Sequence, residues 1–144
     1  MELKSPEFKN DQFIPAKFTC EGENVNPPLV IEGIPPDSKS MVLIVDDPDA
    51  VSAPWVHWLV FNIFPDYKIE EDSIPGEQGI NSAGETDWHG PCPPSGIHRY
   101  FFKIYALDKM LSLKESVNKK QIEEAMQGHI LDSAQLLGRY KRNK

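Results

Sequence analysis

The chain has 144 residues, of which 40 % are apolar, and a formal net charge of −7; this suits one hydrophobic core and predicts a single domain over residues 1–144. The acidic balance excludes a non-specific nucleic-acid binder, because phosphate contacts draw on a surplus of Lys and Arg. The longest apolar runs, Met41–Val45 and Trp58–Phe61, fall far short of the ~20 residues of a membrane span, and no apolar signal segment follows Met1–Pro6, so a cytoplasmic protein that does not span the membrane is expected.

Thirteen prolines and nine glycines punctuate the chain densely enough to predict short strands and ordered loops. Phe13–Cys20 reads as an edge strand, followed by a loop to Pro28. Leu29–Ile31 reads as a short strand and Gly33–Asp37 as a turn. Met41–Val45 is apolar on both faces, the pattern of a central strand. His57–Ile63 reads the same way. Pro65–Gly96 is a long polar segment with room for one short strand. Arg99–Leu107, rich in aromatic and β-branched residues, is the clearest strand. Near the end, Asn118 can cap a helix and Gln121 can reach back from N3, with Ile122, Ala125, Met126 and Ile130 on one face. Either Gly128 stops this helix, or Ile130 and Leu131 continue it. The basic stretch Arg139–Lys144 reads as a solvated terminus. The fold class is all-β, a two-sheet β-sandwich with a minor helical element.

Cys20 and Cys92 are the only cysteines. Far apart, and in a chain with no Cys-x-x-Cys, they predict two free thiols. Cys92 lies in the stiff run Pro91-Cys92-Pro93-Pro94.

Three strand ends carry polar residues that do not suit a core. Met41–Val45 runs into Asp46-Asp47-Pro48-Asp49, His57 opens the next strand, and His98 and Tyr100 open the aromatic one. By alternation, Asp47 follows Met41, Leu43 and Val45; His57 shares a face with Leu59, Phe61 and Ile63; His98 and Tyr100 share one with Phe102, Ile104 and Ala106. If the first strand runs antiparallel to the other two, these ends meet at one sheet edge. Two imidazoles and a phenol can donate hydrogen bonds to a phosphate or carboxylate, and a neighbouring Asp favours the imidazolium form. Asp47 could also accept the proton of a monohydrogen phosphate. Gly90 would allow close backbone approach to a ligand. Each piece alone has a plainer reading: Asp-Pro-Asp as a turn, a single His as structural, Tyr100, Trp55 and Trp58 as core.

The set admits other chemistries. Asp47, His57 and His98 could serve a hydrolase as acid–base groups, with Cys92 as a nucleophile beside His98, or stand as a two-His-one-carboxylate metal triad. The tyrosine and the proline-rich wall favour an anion, so a non-enzymatic binding protein without cofactor or metal is the expectation.

Asp47-Pro48-Asp49-Ala50, Trp55-x-His57-Trp58-Leu59-Val60-x-Asn62 and Gly90-Pro91-Cys92-Pro93-Pro94-x-Gly96-x-His98-Arg99-Tyr100 resemble the signature blocks of the phosphatidylethanolamine-binding protein family, which includes the Raf kinase inhibitor proteins. Phe18–Gly22, Asn26–Leu29 and Ala125–Leu131 resemble its compact bacterial and archaeal branch. The resemblance implies a β-sandwich with short C-terminal helices and an anion pocket. Asp47, His57, His98 and Tyr100 match the pocket residues, Trp55, Gly90 and Pro93 its walls, and Asp49 a supporting position. The implied ligand is a phosphate-bearing small molecule, phosphopeptide or lipid headgroup; the implied partner is a kinase or peptidase that the protein inhibits or regulates, and relatives suggest a homodimer. The chain departs from the family block where Val51 follows Ala50 and the next proline is Pro54. The loop from Asp49 to Trp55 is short, and His89 adds a titratable group near the pocket mouth.

Overall fold

The computed structural model describes residues 1–143. In chain order its elements are β1 (Glu2–Lys4), β2 (Gln12–Phe13), a 3₁₀ turn (Ala16–Phe18), β3 (Leu29–Glu32), β4 (Ser40–Asp47), β5 (Trp55–Ile63), β6 (Lys68–Ile69), β7 (Glu77–Gln78), β8 (His98–Leu107), α1 (Lys119–Met126) and β9 (Ile130–Tyr140). A six-stranded sheet has the order β2-β9-β8-β4-β5-β7, and a three-stranded sheet the order β1-β3-β6. The short β2 pairs parallel to β9; β4 is antiparallel to both of its neighbours, β5 and β8.

Every residue of β4 is buried, because both faces of its sheet are covered. Met41, Leu43 and Val45 join Leu29, Ile31 and Ile69 of the small sheet in the core between the layers. Val42 and Ile44 face the other way, against Leu111, Val117, Ile122 and Met126. A strand buried on both sides has no polar face, which is why its sequence reads as continuously apolar. The helix is held as expected: the Gln121 N–H donates to the Asn118 side chain and the Asn118 N–H to the Gln121 side chain, both at 2.9 Å. Gly128, at φ +77°, ends the turn where an L side chain would be strained.

Several expectations are corrected here. The segment after Gly128 is an eleven-residue strand, β9, rather than a helical continuation. Its sequence holds one β-branched residue, Ile130, and several good helix formers, so local propensity pointed the wrong way; pairing along the whole of β8 decides its state. The C-terminal stretch is not a solvated tail. Tyr140 is buried in the inter-sheet core and its hydroxyl donates to the Glu21 carboxylate, while Arg139 binds Asp11; Lys144 lies outside the described residues. Phe13–Cys20 is strand only at Phe13: Pro15 precedes a 3₁₀ turn that buries Phe18. The polar segment after Pro65 contributes two two-residue strands, not one. Finally, Cys20 and Cys92 form a disulfide across 72 residues of chain. The 3₁₀ turn carries Cys20 against the proline-rich loop, where its N–H donates to the Pro91 carbonyl at 3.1 Å, a proximity that spacing could not reveal. Among the described residues, no helix is long and apolar enough to cross a membrane.

Candidate functional site

Because β4 runs antiparallel to β5 and β8, the end of β4 meets the starts of both. Asp47 sits opposite Trp55, and Asp46 opposite Phe101. The polar strand ends therefore do gather at one sheet edge, around a cleft of about 240 Å³ whose lining includes Asp47, Trp55, His57, Gly90, Pro93, His98 and Tyr100. All the residues matched to pocket and walls are in that lining.

Strand parity succeeds on two strands and fails on the third. Asp47 continues the alternation of Met41, Leu43 and Val45, and Tyr100 that of Phe102 and Ile104, all in the inter-sheet core. Leu59 and Phe61, expected on the His57 face, lie instead on the helix side of the sheet. The register explains the difference. Val45 pairs with Trp58 and Asp46 with Val56, so His57 is an extra residue in β5. Such a bulge re-aims one side chain without altering the rest of the strand. His57 thus packs its ring 4.7 Å from Trp55 and 5.1 Å from Tyr100. A second irregularity, with Asn62 at φ +54°, returns Ile63 to the inter-sheet side.

The two histidines are held differently. His98 Nδ1 lies 2.7 Å from Asp47 Oδ2, so the carboxylate orients the ring and can balance a charge on it. His57 Nδ1 lies 2.5 Å from the backbone carbonyl of His89, whose N–H in turn donates to the His57 carbonyl at 3.1 Å. A carbonyl only accepts, so Nδ1 of His57 carries the proton and Nε2 presents a lone pair when the ring is neutral. Burial holds His57 in that neutral form, its pKa pushed down to about 4. The expectation that a neighbouring carboxylate would favour its imidazolium is overturned for this ring: the His89 carbonyl and Asp47 pull upward, but desolvation outweighs them. Burial also pushes the Tyr100 phenol well above its ordinary range, with Asp47 adding to the effect, so it remains a neutral donor.

Asp47 and Asp49 build the turn at the rim. Asp47 Oδ1 accepts the Asp49 N–H at 2.7 Å. The Asp49 carboxylate accepts from the Arg99 backbone N–H and, as a fork, from Nε and Nη2, each at 2.9 Å. That pairing holds the Asp49 carboxyl below the usual carboxylate range. Asp49 is absent from the cleft lining and fixes the loop to the start of β8.

The wall is fastened from behind. A Cβ at Gly90 would fall 2.2 Å from Asn24 Oδ1 and 2.5 Å from the Phe18 carbonyl, so the glycine lets the wall pack against the 3₁₀ turn. Its N–H donates to that Asn24 oxygen. Cys92 is tied to Cys20, and the Pro93 carbonyl accepts from Arg142 Nε at 2.8 Å. With its sulfur in the disulfide, Cys92 has no thiol to attack a substrate. Asp47, His57 and His98 do not form a metal-holding triad either; no such group of His, Cys, Asp or Glu occurs among the described residues.

Sequence reasoning missed the lip Ala50–Ser52 and gave His89 too small a part. The lip lines the cleft, with Val51 fully exposed; its place directly after Asp-Pro-Asp was the available signal. His89 lines the cleft beside Trp55 and acts on His57 through its backbone, which no residue-type argument can find.

A family model for phosphatidylethanolamine-binding protein matches residues 4–141. The chain belongs to the phosphatidylethanolamine-binding protein family. A UPF0098 protein of Methanothermobacter thermautotrophicus is 47 % identical, with 99 % of each chain covered. One from Pyrococcus horikoshii is 48 % identical over 99 % of this chain and 78 % of its own length. Among solved structures, a putative phosphatidylethanolamine-binding protein homolog from Chlamydia trachomatis superposes with TM-score 0.95 at 42 % identity, covering 99 % of this chain and 97 % of that one. Escherichia coli YbcL, described as a member of the mammalian family, gives TM-score 0.90 at 26 % identity, covering 99 % and 98 %. This family member, mostly strands with one short helix, shares the fold of those neighbours.

Proposed function

We propose that this family member is a non-enzymatic binding protein whose cleft takes an anionic, phosphate-bearing group, and that it regulates a kinase or peptidase through that capacity. One observation carries the ligand reading. Tyr100 is 1 % exposed and His57 5 %, yet neither the phenol hydroxyl nor His57 Nε2 has a partner among the hydrogen bonds, while no fully buried side-chain N or O lacks one among the described residues. The unpartnered atoms of these two side chains are therefore open to the cleft that both line. His98, with Nδ1 committed to Asp47, has Nε2 available beside them. Polar atoms kept unpaired in an otherwise packed wall are the mark of a ligand site. The Tyr100 hydroxyl is a donor, and a hydrogen bond from it to an anion is stronger than one between neutral groups.

An NMR titration of the full chain with inorganic phosphate and O-phosphorylethanolamine tests this. Shifts centred on His57, His98 and Tyr100 are expected. Spectra unchanged at millimolar ligand would sink the reading. The regulatory half is tested by assaying kinase and peptidase panels with the wild type beside His98→Ala; inhibition equal for both would detach it from the cleft.

A further inference from the structure

The disulfide stands at the cleft itself. Cys92 is half-buried and lines the cleft, while its partner Cys20 is exposed just past the 3₁₀ turn. A thiolate attacks the sulfur it can reach, so the bond is open to solvent at its Cys20 end. It joins two loops rather than two strands. Pro91, Pro93 and Pro94 have no N–H to donate, so this stretch of wall makes few backbone ties of its own and leans on the disulfide. The ties that remain lie close to the bond. The Cys20 N–H donates to the Pro91 carbonyl at 3.1 Å and the Gly90 N–H to Asn24 Oδ1 at 3.0 Å. The C-terminal segment spans the same junction, Arg142 donating to the Pro93 carbonyl and the Asn143 N–H to the Glu21 carboxylate. These contacts keep the two sulfurs near each other once the bond is opened, so opening is local and reversible.

We propose that the Cys20–Cys92 pair is a redox site that sets the affinity of the cleft: with the bond closed the wall is held ready for an anion, and reduction by a dithiol releases the wall and weakens binding. This rests on the anion-binding reading above and adds its regulation. A thiolate of the reductant attacks Cys20 Sγ, the S–S bond breaks, and Cys92 leaves as a thiolate. The reductant's second thiol then displaces Cys20, and the reductant departs as its own disulfide. The two electrons pass to the protein, and the protons end on Cys20 and Cys92. Binding weakens for two reasons of the same sign. The freed wall has to be ordered again when an anion enters. The Cys92 sulfur, released in the cleft lining, is a thiol whose ionised form repels an anion. By linkage, an anion that favours the closed state favours oxidation by the same factor.

The test is an NMR titration of the full chain with O-phosphorylethanolamine, oxidised and after reduction with dithiothreitol. Reduction should weaken binding by about tenfold, the scale of ordering a mobile side chain or two on binding, while the amide spectrum of the sheets stays native. Cys20→Ser with Cys92→Ser should bind like the reduced chain and be indifferent to dithiothreitol. In mixtures of reduced and oxidised dithiothreitol, saturating O-phosphorylethanolamine should shift the ratio at which half the protein is oxidised by the same factor, toward the disulfide. Equal or tighter binding by the reduced chain would overturn the inference and leave the anion reading standing. A bond that dithiothreitol does not open in the native chain overturns it as well. So does loss of the native spectrum throughout on reduction, which would make the pair a staple of the whole fold. No binding by the oxidised chain removes the anion reading, and this inference with it.

Discussion

Asp46 and Asp47 are chain neighbours at the end of β4, each about 97 % buried or more, and they face opposite sides of the sheet. On the Asp46 side, Lys103 and Lys119 approach its carboxylate at 3.3 and 3.4 Å. Charge meets charge within the protein there. On the Asp47 side, the carboxylate orients His98 and closes the Asp49 turn, while the next atoms outward, on His57 and Tyr100, are left without partners. Similar residue types occur at both places. What separates a structural ion cluster from a candidate site is which polar atoms the fold leaves unsatisfied.

The largest effect that bears on this contrast concerns the fastening of the cleft wall. The Cys20–Cys92 bond closes a loop of 72 residues' separation, which by chain entropy is worth up to about 4 kcal/mol. Reduction, or Cys20→Ser with Cys92→Ser, should lower the denaturant midpoint and raise amide exchange first at Gly90 and at positions 20 and 92. Exchange rising equally around Lys103 and Lys119 would mean that the two sides are not independently anchored.

The next effect is on pH dependence. His57 is held neutral in the folded protein, at a pKa of about 4 against an ordinary 6.5. Between those values the unfolded chain binds the extra proton, so stability rises with pH through this window. The contribution is complete above about pH 6.5 and is lost as pH falls toward 4; at about 1.4 kcal/mol per pH unit the loss comes to about 3 kcal/mol. Comparing wild type with His57→Phe by denaturation between pH 4 and 7 isolates it, and parallel curves would show that His57 is not buried as a neutral ring.

Loss of one cleft donor comes third. His98→Ala should weaken phosphate-ester binding by about 2 kcal/mol, roughly 30-fold, with amide shifts confined to the cleft. Lys119→Met should leave that affinity untouched; a matching loss from both would erase the distinction between the sides. Smallest is the stability effect of the Asp46 cluster. Lys103 and Lys119 retain 31 % and 22 % side-chain exposure, so Lys103→Met or Lys119→Met should cost below about 1 kcal/mol, diminishing in high salt. A loss of several kcal/mol in either variant would show that Asp46 depends on both cations.

How much of this was legible follows from which signals are local. β3, β4, β5 and β8 announced themselves because their residues alternate or run apolar over their own length. The capping pair Asn118 and Gln121 needs only three residues of chain. β9 stayed hidden because its strand state comes from β8 rather than from its own side chains. The burial of Tyr140 follows from the same pairing. The site was legible as a set of residue types at strand ends, sharpened by the family blocks. The bulge at His57 was not, since alternation assumes one residue per rung and the extra one shows only in the pairing with β4.

By itself, then, the sequence determined a β-rich chain, its central strands, its capped helix, and Asp47, His57, His98 and Tyr100 as residues to watch, because hydrophobic period and cap chemistry are read within a few neighbouring positions. Only the tertiary structure decided that Cys20 meets Cys92, that Asp47 is occupied with His98 and the Asp49 turn, and that the His89 carbonyl fixes which nitrogen of His57 holds the proton. Each of these depends on a partner distant along the chain, and on the burial that makes an unpaired lone pair costly.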